Sequence, residues 1–346
     1  MERFNLKSYD VVIVGAGPGG LRCAEELAGS PLKVLLLEQN AEIGPKVCAG
    51  GLTGKGMDYL NLPDEMIEYK FNKVKMQVNS IPFTVKHAEN FAYTIDRKEF
   101  GQWHLKKLQD AANVEVRTGA KAKILSRSVI RIDEEEIEYK ILVGADGSNS
   151  TVRKFLQLKS EKTVVAFHYV IPGNTYKSFE LYFQPRKFHA GYAWIFPHKN
   201  YASIGTGGDP KHFSPARLRK NLIEWIQKRN IDISAAKYES FMINCDYRGY
   251  KFDNIYLVGD AAGMASMITG EGIYQALISG EEVGKEIRDP EYTPDFRRII
   301  RNQNYLQRIY NLSNQWGKFR VILYYAAVVL LKFSLRWRRR FIDLVG

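Results

Sequence analysis

Cysteine is scarce in this 346-residue chain: Cys23, Cys48 and Cys245 are the three present. They are too few and too scattered for a disulfide framework or a paired set of zinc ligands, so no metal site is expected. A reducing, cytoplasmic setting is the simplest expectation. Long apolar runs are also lacking. The run Val321–Leu331 has eleven residues, whereas a membrane-spanning helix needs roughly 20. Met1–Asp10 is polar and Val11–Val14 runs straight into glycines, so no secretory leader is expected. Internal repeats and low-complexity linkers are absent, which excludes solenoids and disordered spacers.

What is present is a globular composition: 45% hydrophobic, 12% aromatic and 25% charged. Collagen, coiled coil and disorder are poor descriptions of such a chain. Its length suits two interleaved domains plus a terminal element. The net charge is +12, and it is not spread evenly. From Glu291 to Gly346 eleven Lys and Arg face three acids, a local surplus of eight. There Val321–Leu331 is followed by Lys332, Arg336, Arg338, Arg339 and Arg340, with Phe333, Leu335 and Trp337 interleaved. A basic, Trp-containing helix beside an apolar one suits an anionic lipid surface, although a core helix with a solvated basic end has the same pattern. No nucleic-acid motif accompanies the basic run, so nucleic acid is not an expected partner.

Tyr9–Val14 reads as a buried parallel strand entering Gly15-Ala16-Gly17-Pro18-Gly19-Gly20. Leu21, Cys23, Ala24, Leu27 and Ala28 then follow helical spacing, and Lys33–Leu37 is a second strand ending in Glu38. Strand, glycine turn, helix, strand and acid come in the order of a dinucleotide fold. Gly15 makes the turn, Gly17 lets backbone N–H groups approach a pyrophosphate, and Gly20 allows close helix–strand packing. The helix N-terminus faces the phosphates. Glu38 would accept hydrogen bonds from a ribose and repel a 2′-phosphate, favouring FAD or NAD over NADP. Tyr139–Val143 leads into Ala145-Asp146-Gly147, and Asn254–Val258 into Gly259-Asp260-Ala261. Three such turns at strand ends can converge on one extended cofactor, and NAD would not need the third.

With these motifs the chain resembles, over about residues 8 to 285, the flavoproteins that include aromatic hydroxylases, halogenases and geranylgeranyl reductases. The resemblance implies an α/β FAD-binding domain interleaved with an antiparallel-sheet substrate domain. It implies that Asp260 holds the ribityl chain and that Gly270, Gly272 and Ile273 approach the flavin. Arg97 matches an arginine near the flavin or its diphosphate, and Ala122 a backbone contact to adenine. Three segments resemble the geranylgeranyl reductase branch: Cys48-Ala49-Gly50-Gly51, Tyr192-Ala193-Trp194-Ile195-Phe196-Pro197, and Thr269-Gly270-Glu271-Gly272-Ile273. Met267 stands where the family often has proline, and Val47 and Ala49 depart from its cysteine segment.

Alternation puts Tyr192, Trp194 and Phe196 on one strand face, where they would wall an apolar cavity against the flavin. Cys48 and Tyr192 are the candidate proton donors or orienters, with plain packing the alternative for the cysteine. The expected FAD domain combines residues 1–60, 91–160 and 249–290. The substrate sheet takes 61–90 and 161–248, with Val74–Val85, Phe167–Phe183 and Tyr192–Thr206 as strands. An amphipathic helix is expected over Ser214–Lys228, and 291–346 forms a basic, apolar C-terminal region.

The leading expectation is an FAD-dependent reductase of geranylgeranyl lipid chains, placed in the cytoplasm or on the inner membrane face. NAD(P)H or ferredoxin would supply its electrons, the latter as a partner protein. An FAD monooxygenase or halogenase on an apolar or aromatic substrate is the alternative, and a non-catalytic prenyl-lipid binding module a further one.

Overall fold

The chain is described by a computed structural model over residues 6–315, together with Ile322 and Tyr325. The C-terminal run from Val321 and its basic residues therefore lie almost wholly outside the described residues.

The glycine-turn strand, Lys7–Val14, is central to an eight-stranded sheet. It pairs in parallel with Val34–Leu37 on one side and Glu135–Gly144 on the other. Val114–Arg117 and Ile255–Leu257 extend the parallel set outward. Val11, Val12, Ile13 and Val34–Leu37 are all buried, as continuous β-branched and leucine runs must be when both faces of a sheet are covered. Helices Pro18–Leu27 and Ile273–Arg288 pack together beside this sheet, their buried stripes including Leu21, Leu27, Leu277 and Val283. An antiparallel extension, Ala122–Ile124 and Val129–Ile132, hangs from Glu135–Gly144.

A seven-stranded sheet runs in the order Lys237–Asn244, Thr163–Pro172, Tyr201–Gly208, Ala193–Pro197, Glu180–Phe183, Lys73–Val78 and Ile81–Lys86. All of its pairs are antiparallel except Glu180–Phe183 with Lys73–Val78. One face is closed by helix Pro215–Gln227, whose Ser214 side chain caps it by accepting from Arg217 N. Leu218, Leu222, Trp225 and Ile226 point from that helix into the sheet. The opposite face carries aromatic side chains, among them Trp194 and Phe196, with Phe179 packed on Phe196 at 3.9 Å between ring centres.

A third sheet was not expected from the sequence. Gly51–Thr53, Ala92–Ile95 and Ile67–Phe71 form three short antiparallel strands that flank Lys73–Lys86 in sequence. The strand Ile67–Phe71 thus pairs here rather than with Lys73–Val78 in the seven-stranded sheet.

Candidate active site

The first glycine turn begins where Val14 leaves the central strand. Gly15 has φ +103°, and a Cβ there would lie 2.5 Å from the Ala145 carbonyl oxygen, so only glycine fits both angle and space. A Cβ on Gly20 would lie 1.9 Å from Gly15 O. Gly20 therefore lets the helix close onto the turn itself, a tighter neighbour than the strand expected from sequence. Gly17 caps the helix Pro18–Leu27 with its face open, nothing lying within 4 Å of a Cβ there. Backbone N–H groups at a helix N-terminus with open space in front make an anion site. Glu38 ends the second strand beside this turn, accepting from Ala16 N at 3.0 Å and from Asn40.

The second and third turns meet the first. Gly17, Gly147, Gly259 and Asp260 line one cavity of about 350 Å³. Ser148 Oγ donates to Asp260 Oδ2 at 2.9 Å, which ties the two later turns together. Lys46 Nζ stands 3.8 Å from the same Oδ2, placing a cation at the cavity rim. Asp146 points elsewhere: its Oδ2 accepts from Thr151 N and Oγ1 at the start of helix Thr151–Phe155, while its Oδ1 is buried without a partner. Arg97, the first residue of helix Arg97–Lys106, is 9% exposed and lines the cavity with its Nε unpartnered. A buried guanidinium with a free donor is costly unless an acceptor from a ligand meets it.

The segment Cys48–Gly51 forms another wall. It is held by His198, a fully buried side chain whose Nε2 faces the Ala49 carbonyl at 3.0 Å and whose Nδ1 pairs with the buried Glu68 carboxylate. His198 also stacks on Tyr201 with ring centres 4.1 Å apart. Gly50 N donates to Cys48 Sγ at 3.4 Å.

Facing this segment are Tyr192, Trp194 and Phe196, which share one strand face and all line the cavity, as alternation requires. Val74, Phe91, Phe179 and Leu181 complete an apolar lining. Trp194 is fixed from behind: its Nε1 donates to Ser203 Oγ at 3.0 Å, which contacts His168 Nδ1 at 2.7 Å. Burial holds the His168 imidazolium at a disadvantage and lowers its pKa. The Tyr192 hydroxyl donates to the Thr269 carbonyl at 2.5 Å, and burial pushes its pKa up. The phenol is thereby a tie between the aromatic strand and the Thr269–Ile273 loop. In that loop Glu271 is half-buried, with its carboxyl pKa raised chiefly by desolvation.

Of the residues singled out in the sequence, Gly17, Pro18, Cys48, Ala49, Gly51, Arg97, Gly147, Gly259, Asp260, Gly270, Gly272 and Ile273 line the one cavity with the aromatic trio. Gly15, Ala16, Gly20, Glu38 and Asp146 stand behind it as turn and strand-end supports. Ala122 pairs with Ile132 in the antiparallel extension, away from the lining. Lys46, Thr53, His198 and Glu271 were missed as side chains. Each sits within or beside a glycine-rich or Phe-Pro motif whose small and aromatic residues carried the signal.

The model of the FAD-binding domain family matches residues 8–280. Digeranylgeranylglycerophospholipid reductase 1 of Methanopyrus kandleri is 31% identical over 301 residues, which span 80% of this chain and 80% of that one. Geranylgeranyl diphosphate reductase of Rhodobacter capsulatus is 28% identical over 296 residues, 79% of this chain and 73% of that one. Among solved structures, a geranylgeranyl bacteriochlorophyll reductase-like protein of Thermoplasma acidophilum superposes with TM-score 0.73 at 21% identity, covering 99% of this chain and 92% of that one. The site fits FAD on its own terms. An open helix N-terminus and the unpartnered Arg97 Nε, both at the cavity, are what an elongated ligand with phosphates would satisfy. The chain belongs to the FAD-binding domain family and, within it, to the geranylgeranyl reductases; it is an FAD-dependent oxidoreductase.

Proposed function

We propose that this protein saturates carbon–carbon double bonds in the geranylgeranyl chains of an isoprenoid lipid. The observation that carries the reading is a single cavity in which the three glycine turns meet an apolar, aromatic wall. A ligand with a phosphate-rich end and a reactive ring can lie along the turns while a hydrocarbon chain fills the remainder. The similar proteins of Methanopyrus kandleri and Rhodobacter capsulatus are named for reductions of that lipid class.

The roles follow from position. Gly17, Pro18 and the helix N-terminus would hold the diphosphate, with Arg97 supplying a matching cation. Glu38 would take the ribose hydroxyls at the adenosine end and Asp260 the ribityl chain. The backbone of Cys48, Ala49 and Gly51, with Gly270, Gly272 and Ile273, would approach the flavin ring. Reduced FAD supplies a hydride to carbon when bound. Trp194, Phe196, Phe179 and Leu181 exclude water, which keeps that hydride from solvent and buries the chain at roughly 25 cal/mol per Å². Tyr192 orients the Thr269 loop through its hydroxyl, and Cys48 presents a thiol at the opposite wall. Electrons would come from NAD(P)H or a ferredoxin-type partner.

Among the described residues no helix is long and apolar enough to cross a membrane. Helix Arg297–Gln315 exposes Tyr305, Ile309 and Leu312 just before the basic segment. We place this end of the molecule against an anionic lipid surface, where its substrate resides.

The test is anaerobic. The FAD-loaded protein is reduced chemically, then mixed with geranylgeranyl diphosphate or a digeranylgeranyl glycerophospholipid, and flavin reoxidation and lipid mass are followed. Reoxidation with a gain of two hydrogens per double bond is the expected result. Flavin that stays reduced until oxygen is admitted would instead favour a monooxygenase.

A further inference from the structure

Saturating an isolated double bond needs a proton as well as a hydride, and the alkene has no carbonyl to absorb charge. The proton must come from an acid that holds it at neutral pH inside a dry site. Neither side chain singled out in the sequence suits this. Burial raises the Tyr192 pKa, so the phenol gives up its proton reluctantly. Cys48 accepts from Gly50 N at 3.4 Å and lines the main cavity, with no second chamber behind it among the described residues to return a proton.

Glu271 has the required surroundings. It lines the main cavity between Gly270 and Gly272, beside Tyr192, near enough for its charge to raise that phenol's pKa. It also lines a second chamber of about 30 Å³, and among the described residues it is the one shared by both. About 30 Å³ is room for one or two waters. The chamber's walls include Lys55, Ser266, Tyr274, Arg298 and Gln303, polar enough to hold them. Glu271 is therefore a partition, with a water-sized polar space behind it and the reaction cavity in front.

Its hydrogen-bond partners leave room for a proton. Thr53 Oγ1 donates to Glu271 Oε1 at 2.8 Å. Gln275 offers its amide N–H to Oε2 at a long 3.5 Å, while the Gln275 carbonyl oxygen is buried with no partner. Half a turn of that amide brings the orphaned oxygen to Oε2 and satisfies both atoms, provided Oε2 carries a hydrogen. Both contacts are to neutral groups. Desolvation holds the carboxyl above the ordinary range, outweighing the hydrogen bonds from Thr53 and Gln275 and the charge of Lys55, which lower it; Lys55 and Arg298, on the chamber side, are the charges facing it.

We propose that Glu271 is the acid of this site, passing a proton from the second chamber to the substrate carbon that does not receive hydride. The π pair of the double bond forms the new C–H bond to that proton, Oε2 is left as carboxylate, and the neighbouring carbon takes the hydride that the reductase reading already supplies. Water in the chamber relays a proton from solvent to Oε2, since the chamber's Arg298 wall is exposed. The inference rests on that reading for its substrate.

Infrared difference spectroscopy of the purified flavoprotein against Glu271→Gln should show a protonated-carboxyl stretch near neutral pH that the variant lacks. In the anaerobic assay with geranylgeranyl diphosphate, Glu271→Gln should load FAD normally yet reoxidise about a hundred-fold more slowly or worse. The wild-type rate should fall as pH rises through the raised pKa, and Glu271→Asp should restore part of it. A missing carboxyl stretch in the wild type, or wild-type rates in Glu271→Gln, overturns the proposal. Wild-type flavin that reacts with neither lipid overturns the reductase reading instead, and the infrared result then still decides whether Glu271 holds a proton.

Discussion

At the scale of the residue, His198 explains how two walls built from distant sequence stay in register. It leaves the end of the aromatic strand, and its Nε2 reaches the carbonyl of Ala49 while Glu68 pins the other nitrogen. Gly50 is the complementary feature, since a Cβ there would lie 2.4 Å from the imidazole. His198→Ala leaves the buried Glu68 carboxylate with the Lys199 backbone N–H but without the imidazole. Losing a buried hydrogen bond to a charged group costs about 1.5–3 kcal/mol, and the Cys48 segment loses its tether. Chemical denaturation should show that loss, and Cys48 should react faster with a thiol reagent, the other two cysteines being buried. Unchanged stability and labelling would mean the tether is not what holds the segment. Roles of this kind were illegible in the sequence. His198 and Glu68 are 130 residues apart, and no local pattern marks a pair made by folding. Gly15, Gly17 and Asp260 were legible because a turn against a phosphate imposes its residue types at fixed spacing.

At the scale of the element, the aromatic strand was readable because period-two alternation survives in any strand with one lined face. What makes the face usable is its partner strand. Trp194 is registered opposite Gly205, and a Cβ on Gly205 would meet the indole Cζ2 at 2.5 Å. The indole thus lies flat in a slot that only glycine leaves open. Gly205→Val should drive Trp194 from the slot into the cavity, at an overpacking cost of about 1–3 kcal/mol. The measurable result is a changed tryptophan fluorescence and a lost response to geranylgeranyl diphosphate, with FAD content preserved because the glycine turns are remote. Loss of FAD as well would show that the two halves of the cavity are not separable. The sheet Gly51–Thr53, Ala92–Ile95 and Ile67–Phe71 was hidden in the sequence for the opposite reason. Its strands are three to five residues long, too short for alternation to register, and its pairing is long-range.

At the scale of the whole molecule, charge and cavity pull in one direction. The α/β core with its FAD cavity takes up the described chain, while a surplus of eight positive charges is gathered between Glu291 and Gly346. Composition alone makes that asymmetry plain, although it leaves a lipid surface and a solvated helix end as rival explanations. Exposed Tyr305, Ile309 and Leu312 on Arg297–Gln315 add an apolar component next to the charge, which a merely solvated basic end would not need. If the region docks on lipid, binding must combine two signals. Each basic residue near an anionic surface contributes about 1 kcal/mol, and that part is screened as the Debye length falls from ~10 Å at 0.1 M salt to ~3 Å at 1 M. The full-length protein should therefore sediment with phosphatidylglycerol vesicles and not with phosphatidylcholine vesicles, and should be released by high salt. Replacing Arg338, Arg339 and Arg340 with glutamine should weaken the association by roughly a hundred-fold, the equivalent of about 3 kcal/mol, while reduction of a detergent-dispersed substrate continues at its normal rate. Equal binding to both vesicle types would leave the charge without a membrane role. Slowed turnover on dispersed substrate would place the basic segment at the pocket rather than at the membrane.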